Sequence, residues 1–214
     1  MALDVVAHLS TEELGQRYRA AHDPVERTHL QVIWLRARGS SVTRVVAMTG
    51  IRHSFALIIG ALATGVMDIW GVIRKPLLGF PRADYRLVGR WFAYMPRGRF
   101  QHTAIASTPP LPGEHLIGWS MHYAIGISFA ALLVWIGGEA WIARPTPGLA
   151  LVVGLATVVA PLLLMQPGMG AGIAASRTRN PNAARLQTFL THLIFGVGLY
   201  VAGWITTSLL PLAR

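Results

Sequence analysis

Four long apolar runs separated by short polar segments organise the chain from residue 54 onward. The first covers 54–73 and is interrupted only by Asp68. The second, 116–136, holds His122; the third, 147–166, holds no ionisable residue; the fourth, 186–209, holds His192. Each run has the roughly 20 residues a helix needs to cross the hydrocarbon core of a bilayer. Four such runs in one short chain argue against helices buried in a soluble core. Pro161 is expected to kink the third helix, and Gln166-Pro167-Gly168-Met169-Gly170-Ala171-Gly172 to break it at the membrane surface. Small residues recur four apart at Ala56/Gly60, Ala61/Gly65, Gly126/Ala130, Ala156/Ala160 and Gly198/Ala202. That spacing lets helix backbones approach closely in lipid.

The polar segments carry patterns of their own. Within 74–115, Tyr85, Leu87, Val88, Trp91, Phe92 and Met95 fall near one helical face, with Arg86 and Arg90 away from it. This predicts either an interfacial amphipathic helix with aromatics at headgroup level or a helix packed on the end of the bundle. Arg86, Arg90, Trp91, Arg97 and Arg99 are the candidate interfacial and basic residues. Pro96 to Arg99 and Thr108-Pro109-Pro110 read as loop. Ahead of the first run, Ser10-Thr11-Glu12-Glu13 has capping-box spacing and opens a helix through about Ala21. Asp23-Pro24 opens a second, closed by Gly39, and 41–49 makes a short third. The expected fold is all-α, a polytopic membrane protein in which an interfacial amphipathic helix separates the first and second of four transmembrane helices. A short N-terminal helical extension, 1–50, precedes the transmembrane domain, 51–214.

Composition agrees with lipid as the solvent. Of 214 residues, 53% are hydrophobic and 13% charged, and the mean hydropathy is +0.46. A net charge of +10 would suit nucleic acid, yet the basic residues sit in clusters between the apolar runs, where they mark the cytoplasmic side. The first loop carries Arg74, Lys75, Arg82, Arg86, Arg90, Arg97 and Arg99, the third Arg177, Arg179 and Arg185, and the second only Arg144. The first and third loops are thereby expected in the cytoplasm and both termini outside. Arg17, Arg19, Arg27, Arg36, Arg38, Arg44 and Arg52 oppose this, because they resist translocation of the N-terminal segment. With no cysteine, disulfide and thiolate chemistry are excluded.

Two resemblances divide the chain at the same place. The stretch "LSTEELGQRYRAAHDPVERTHLQVIWLRARGSSVTRVVAMTG" resembles the N-terminal helical region of insertion-sequence transposases. In a helix-turn-helix the second helix reads the major groove. Here 41–49 would be the first of that pair, and the chain then enters a membrane run, so specific DNA binding is not expected. From about residue 53 to 205 the chain resembles a bacterial inner-membrane family catalogued as a domain of unknown function. The stretches "ATGVMDIWG", "DYRLVGRWFAYMPRGRFQH", "GWSMHYAIGISFA", "APLLLMQPGMGAGIAASRTRNP" and "THLIFGVGLY" carry that likeness. It implies a four-helix, multi-pass protein of the bacterial inner membrane and carries no settled activity, substrate or cofactor.

Ionisable groups inside membrane helices are costly and by default point to function. Asp68 lies five residues before the end of the first run, about 7–8 Å deep, and His122 and His192 lie six residues inside theirs, about 9 Å deep. Gln166 ends the third run on the same side, so Asp68, His122, Gln166 and His192 form the candidate polar layer. Ala61, Thr64, Gly65 and Gly71 share a face with Asp68; Gly118 and Gly126 flank His122, and Gly196 follows His192. Three readings stand in order: structural glue between helices, a site handling protons or a small solute, and a haem or metal site. Haem leads the cofactor alternatives, since two histidines on parallel helices could ligate it; no metal-ligand spacing supports a metal, and none is expected. No nucleophile elbow, phosphate loop or paired catalytic carboxylates appear, and the glycines at 168–172 lack a P-loop ending, so soluble enzyme chemistry is not expected. The bilayer is the expected partner, with a homo-oligomer and a small-molecule ligand left open.

The N-terminal segment is expected to derive from a gene fusion or an upstream start, with Met48 near the ancestral beginning. A chain begun at Met48 should then insert and fold like the full one. Failure to reach the membrane fraction would refute that origin.

Overall fold

The computed structural model describes residues 9–40, 45 and 51–209, and every regular element among them is helical. Two short helices come first, α1 (Thr11–Ala20) and α2 (Pro24–Ala37). Ser10 caps α1 in a reciprocal box with Glu13, and Asp23 accepts from the amides of Val25 and Glu26 to start α2. The pair closes on Leu14 and Leu35, with Tyr18 stacked 5.6 Å from Trp34. The third N-terminal helix expected over 41–49 lies, apart from Val45, outside the described residues.

Among the described residues four helices are long and apolar enough to cross a membrane: His53–Leu78, Glu114–Gly138, Pro147–Gly168 and Pro181–Leu209. They lie in α3 (Ile51–Leu78), α5 (Glu114–Ala143), the helix α6 (Pro147–Ala156) with its continuation, and α7 (Pro181–Leu209). Each extends beyond the expected run. The first goes on through Lys75 and Pro76 to Leu78, and Gly79 ends it in the left-handed conformation at φ 70°. Pro76 cannot donate to the Val72 carbonyl, and the helix stops two residues later. The outward side chains are large and apolar, with Trp135 75%, Leu116 72% and Leu164 66% exposed. In water such a surface would drive association; in lipid it is the ordinary exterior.

The third span is irregular where Pro161 was expected to kink it. The helix tightens at Val158 and Ala160, whose amides reach only three residues back, and then widens into a π-turn over Pro161–Met165. A single helical turn, Gln166–Gly168, completes the span. Beyond it Ala174 and Ala175 take left-handed φ values of 49° and 59°, an unfavourable conformation for a residue with a Cβ.

The spans pack in the order α5–α3–α7–α6, with little contact between α5 and α6. Small residues decide this. The α3–α5 crossing puts Gly60 against the Ile127 backbone and Gly126 against the Thr64 hydroxyl. The α3–α7 crossing puts Gly198 against Ala63, and the α6–α7 crossing puts Gly154 against the Gly196 backbone. Buried Ala56, Ala130 and Ala202 line the same contacts. Two expected small-residue pairs do not make crossings: a Cβ on Gly65 would meet nothing within 4 Å, and Ala156 is exposed. Their spacing is right, but Gly65 and Ala156 do not meet a neighbouring helix closely.

Helix α4 (Tyr85–Tyr94) lies along the start of α5. Its Gly89 meets the Glu114 carbonyl, and Gly118 of α5 meets the Tyr85 carbonyl, so neither position has room for a Cβ. The following loop crosses to the third span as a strap: the His102 amide donates to the Gly168 carbonyl at 2.8 Å, and the Ile105 amide to Met169 at 3.0 Å. Arg90 anchors this strap. Its Nε and Nη2 hold both oxygens of Glu114 at 2.8 and 2.9 Å, and its Nη1 reaches the carbonyls of Ile105, Ala106 and Thr108. Arg90, a candidate interfacial and basic residue, is thus held within the fold by these partners. It is 8% exposed, and its burial is tolerated because its donors meet one carboxylate and three carbonyls.

The crossings predict opposite outcomes for two glycines. Gly154→Ala should lower thermal stability in detergent by about 1–3 kcal/mol through overpacking. Gly65→Ala should be neutral or raise it by about 0.5–1 kcal/mol, from the better helix propensity of alanine.

Candidate functional site

Asp68 of α3, His122 and Tyr123 of α5 and Tyr85 of α4 converge within the bundle. Asp84 starts α4 by accepting from the Arg86 amide, and the Gly89–Gly118 contact draws α4 down onto α5, which carries the Tyr85 hydroxyl to His122. One carboxylate oxygen of Asp68 stands 2.9 Å from His122 Nε2 and accepts from Tyr85 at 3.2 Å. The other accepts from Tyr123 at 3.0 Å. Tyr85 and His122 Nε2 are themselves 3.0 Å apart, closing a triangle of hydrogen-bonding atoms. The Trp119 ring covers Tyr85 at 4.5 Å. Burial, and then the Asp68 carboxylate, push the Tyr85 hydroxyl well above the ordinary tyrosine value, so it remains a donor to Asp68.

The other two members of the expected layer join different partners. His192 Nδ1 lies 2.9 Å from Thr157 Oγ1. That hydroxyl donates to the Gly154 carbonyl at 2.6 Å, so the imidazole must be the donor at Nδ1, leaving Nε2 as an acceptor. Gln166 donates from Nε2 to Thr188 Oγ1 at 3.2 Å, while its Oε1 is buried without a partner. The layer is two networks, one around Asp68 and one joining the third and fourth spans.

Both networks border one cleft of about 570 Å³, in the gap between the second and third spans. His122, Tyr85, Gln166 and His192 are among its polar lining, and Met67, Phe92, Phe129, Leu164, Met165 and Phe195 among its apolar lining. Arg74 lines it too. The continuation of α3 past Ile73 puts this arginine inside the helix, 4% exposed, where it donates to Thr191 Oγ1 at 3.2 Å and to the Pro81 carbonyl at 2.8 Å. With the Gln187 amide oxygen turned toward it, Gln187 accepts from both Nη atoms, at 3.0 and 3.1 Å. Arg74 Nε is buried with no partner, and among the described residues no carboxylate pairs with this guanidinium.

The remaining candidates lie outside the cleft or at its rim. Arg86 is exposed and paired with Asp84 at 3.0 Å, and Arg97 and Arg99 lie over the Tyr94 ring. Trp91 donates to the Phe100 carbonyl at 2.8 Å, and its ring packs on Gly168 and borders the cleft. His102, 3% exposed, bonds Thr108 through Nδ1; burial first, and Arg99 second, hold it below the ordinary histidine value. As for iron ligation, His122 and His192 belong to separate networks, and the His122 Nε2 that would bind it faces Asp68. Among the described residues no group of three His, Cys, Asp or Glu side chains is placed to hold a metal.

Sequence reasoning missed Tyr85, Tyr123, Thr157 and Arg74. The adjacency of Tyr123 to His122 was a usable signal, since successive helix positions lie only about 100° apart. Gly79 was the signal for Arg74, because a left-handed glycine marks the true end of α3.

Four apolar spans around a partly polar interior define the class, a multi-pass membrane protein. Over residues 57–206 the chain matches the model of a family described as "Protein of unknown function (DUF2938)", and it belongs to that family. No curated protein and no solved structure matches it.

The Asp68 network predicts a graded response. Asp68→Ala strips a buried acceptor from three donors and should cost about 2–4 kcal/mol in detergent. Tyr123→Phe removes one donor and should cost about 1 kcal/mol. Equal melting curves for both variants and the parent would contradict the geometry.

Proposed function

We propose that this chain is a bacterial inner-membrane protein that takes a small amphiphile from the bilayer into the gap between its second and third spans. One observation carries the reading: a cleft of about 570 Å³ whose lining combines large apolar side chains with several polar ones. That size suits a small molecule, and mostly apolar lining with a few placed polar groups is the usual composition of such sites. Leu164, on the cleft wall, is also 66% exposed toward lipid, so a ligand enters sideways without crossing water. His122, hydrogen-bonded to Asp68 behind it, is a protonatable group on the lining, and binding or transport, not catalysis, is the activity.

The orientation follows from charge. The strap and the turn after the third span touch, so the Lys- and Arg-rich first and third loops share one end of the bundle. The positive-inside rule assigns that end to the cytoplasm, and α4 with the loop after it, on which Arg86, Arg97 and Arg99 are exposed, lies at its interface. Residues 1–56 fall outside the family match, in keeping with a fused N-terminal segment.

Solvent extraction of the purified protein, followed by mass spectrometry, tests this. A bound amphiphile should accompany the parent chain and be lost from Ala160→Trp, which fills the cleft with an indole. If both proteins carry the same extractable species in the same amount, the cleft is not the site.

A further inference from the structure

Arg74 has an unusual position for a cation. It is 4% exposed in a membrane-spanning helix, and among the described residues its Nη donors meet only neutral acceptors: Thr191 Oγ1, the Pro81 carbonyl and the Gln187 amide. Its Nε is buried with no partner, although guanidinium groups in low-dielectric surroundings ordinarily hold a carboxylate or phosphate. Glu114 sits at Arg90, Asp84 at Arg86 and Asp68 at His122. The nearby carboxylates are thus committed elsewhere, and the positive charge of Arg74 is left facing the cleft.

The surroundings of Arg74 suit an anion, because the guanidinium is flanked by neutral polar groups and no described carboxylate pairs with it. Gln187, Thr188, Thr191 and Gln166 supply amide and hydroxyl groups on the same lining, and Met165, Phe92 and Phe195 continue it as an apolar wall. Charge and shape together specify an occupant with a negative head and a hydrocarbon tail. We infer that the Arg74 side of the cleft binds the carboxylate or phosphate head of an anionic bilayer amphiphile, whose chain lies along the apolar wall. This inference rests on the amphiphile reading above and adds the sign of the headgroup.

The test uses the full chain in phosphatidylcholine nanodiscs at mildly alkaline pH. The probes are 11-bromoundecanoate and 11-bromoundecanol, which share a tail and differ in charge, and the readout is tryptophan quenching by bromine, since Trp91 borders the cleft. The carboxylate should half-quench at a concentration about tenfold lower than the alcohol, the factor expected from one charge-assisted bond. Arg74→Gln should abolish that preference while leaving quenching by the alcohol unchanged, and Arg74→Lys, which keeps the charge, should retain most of it. Equal quenching by both probes in the parent overturns the anionic head but leaves the amphiphile cleft standing. No saturable quenching by either probe overturns both. Full displacement of the carboxylate by inorganic phosphate overturns the amphiphile assignment in favour of a free anion. A preference that survives in Arg74→Gln removes Arg74 from the site.

Discussion

Backbone approach between helices governs this molecule. In lipid there is no hydrophobic gain in bringing two apolar helices together, so they associate where small residues allow close packing. Gly60, Gly126, Gly154, Gly196 and Gly198 provide that at three crossings, and these fix the row α5–α3–α7–α6. The second and third spans have no such crossing. Ile125, Phe129, Leu164 and Met165 line the cleft that lies between them. The cleft lies where the close backbone crossings stop.

A gap between two spans would close or splay without something to set its width. Arg90 does this from outside the spans. By holding Glu114 at the start of α5 and the carbonyls of 105–108 at once, it ties the second span to the strap, and the strap is hydrogen-bonded to the turn after the third span. A buried charge satisfied by one carboxylate and fixed carbonyls has one good geometry, so the distance between the two spans is set at one end. Gly89, Gly118 and Gly170 make the same assembly possible sterically, since each lies against a backbone carbonyl that a Cβ would displace.

The four spans were legible in the sequence because hydrocarbon leaves little choice: a backbone crossing it must be helical, and the side chains facing it apolar. The N-terminal caps were legible for a different reason, since Ser10, Glu13 and Asp23 act within one turn. The pairing of Asp68 with His122 could be anticipated from depth alone. What depth could not give was direction. His192 was placed at the same level yet turns to Thr157, and Gln166 turns to Thr188. Arg74 and Arg90 were counted as loop cations because a run of charges after an apolar stretch ordinarily means solvent; which of them the fold buries depends on contacts far apart in sequence.

The widened turn at Pro161–Met165 has a geometric consequence. A π-turn accommodates one more residue than an α-turn, so every position after it is rotated by about 100° relative to an unbroken helix. Leu164, Met165 and Gln166 therefore present to the neighbouring spans a side that a regular helical wheel would assign to other residues. The wall of the cleft is set by a residue count as much as by side-chain identity, and a single deletion within that turn would rewind it and swing the side chains beyond it a little over a quarter turn around the helix axis.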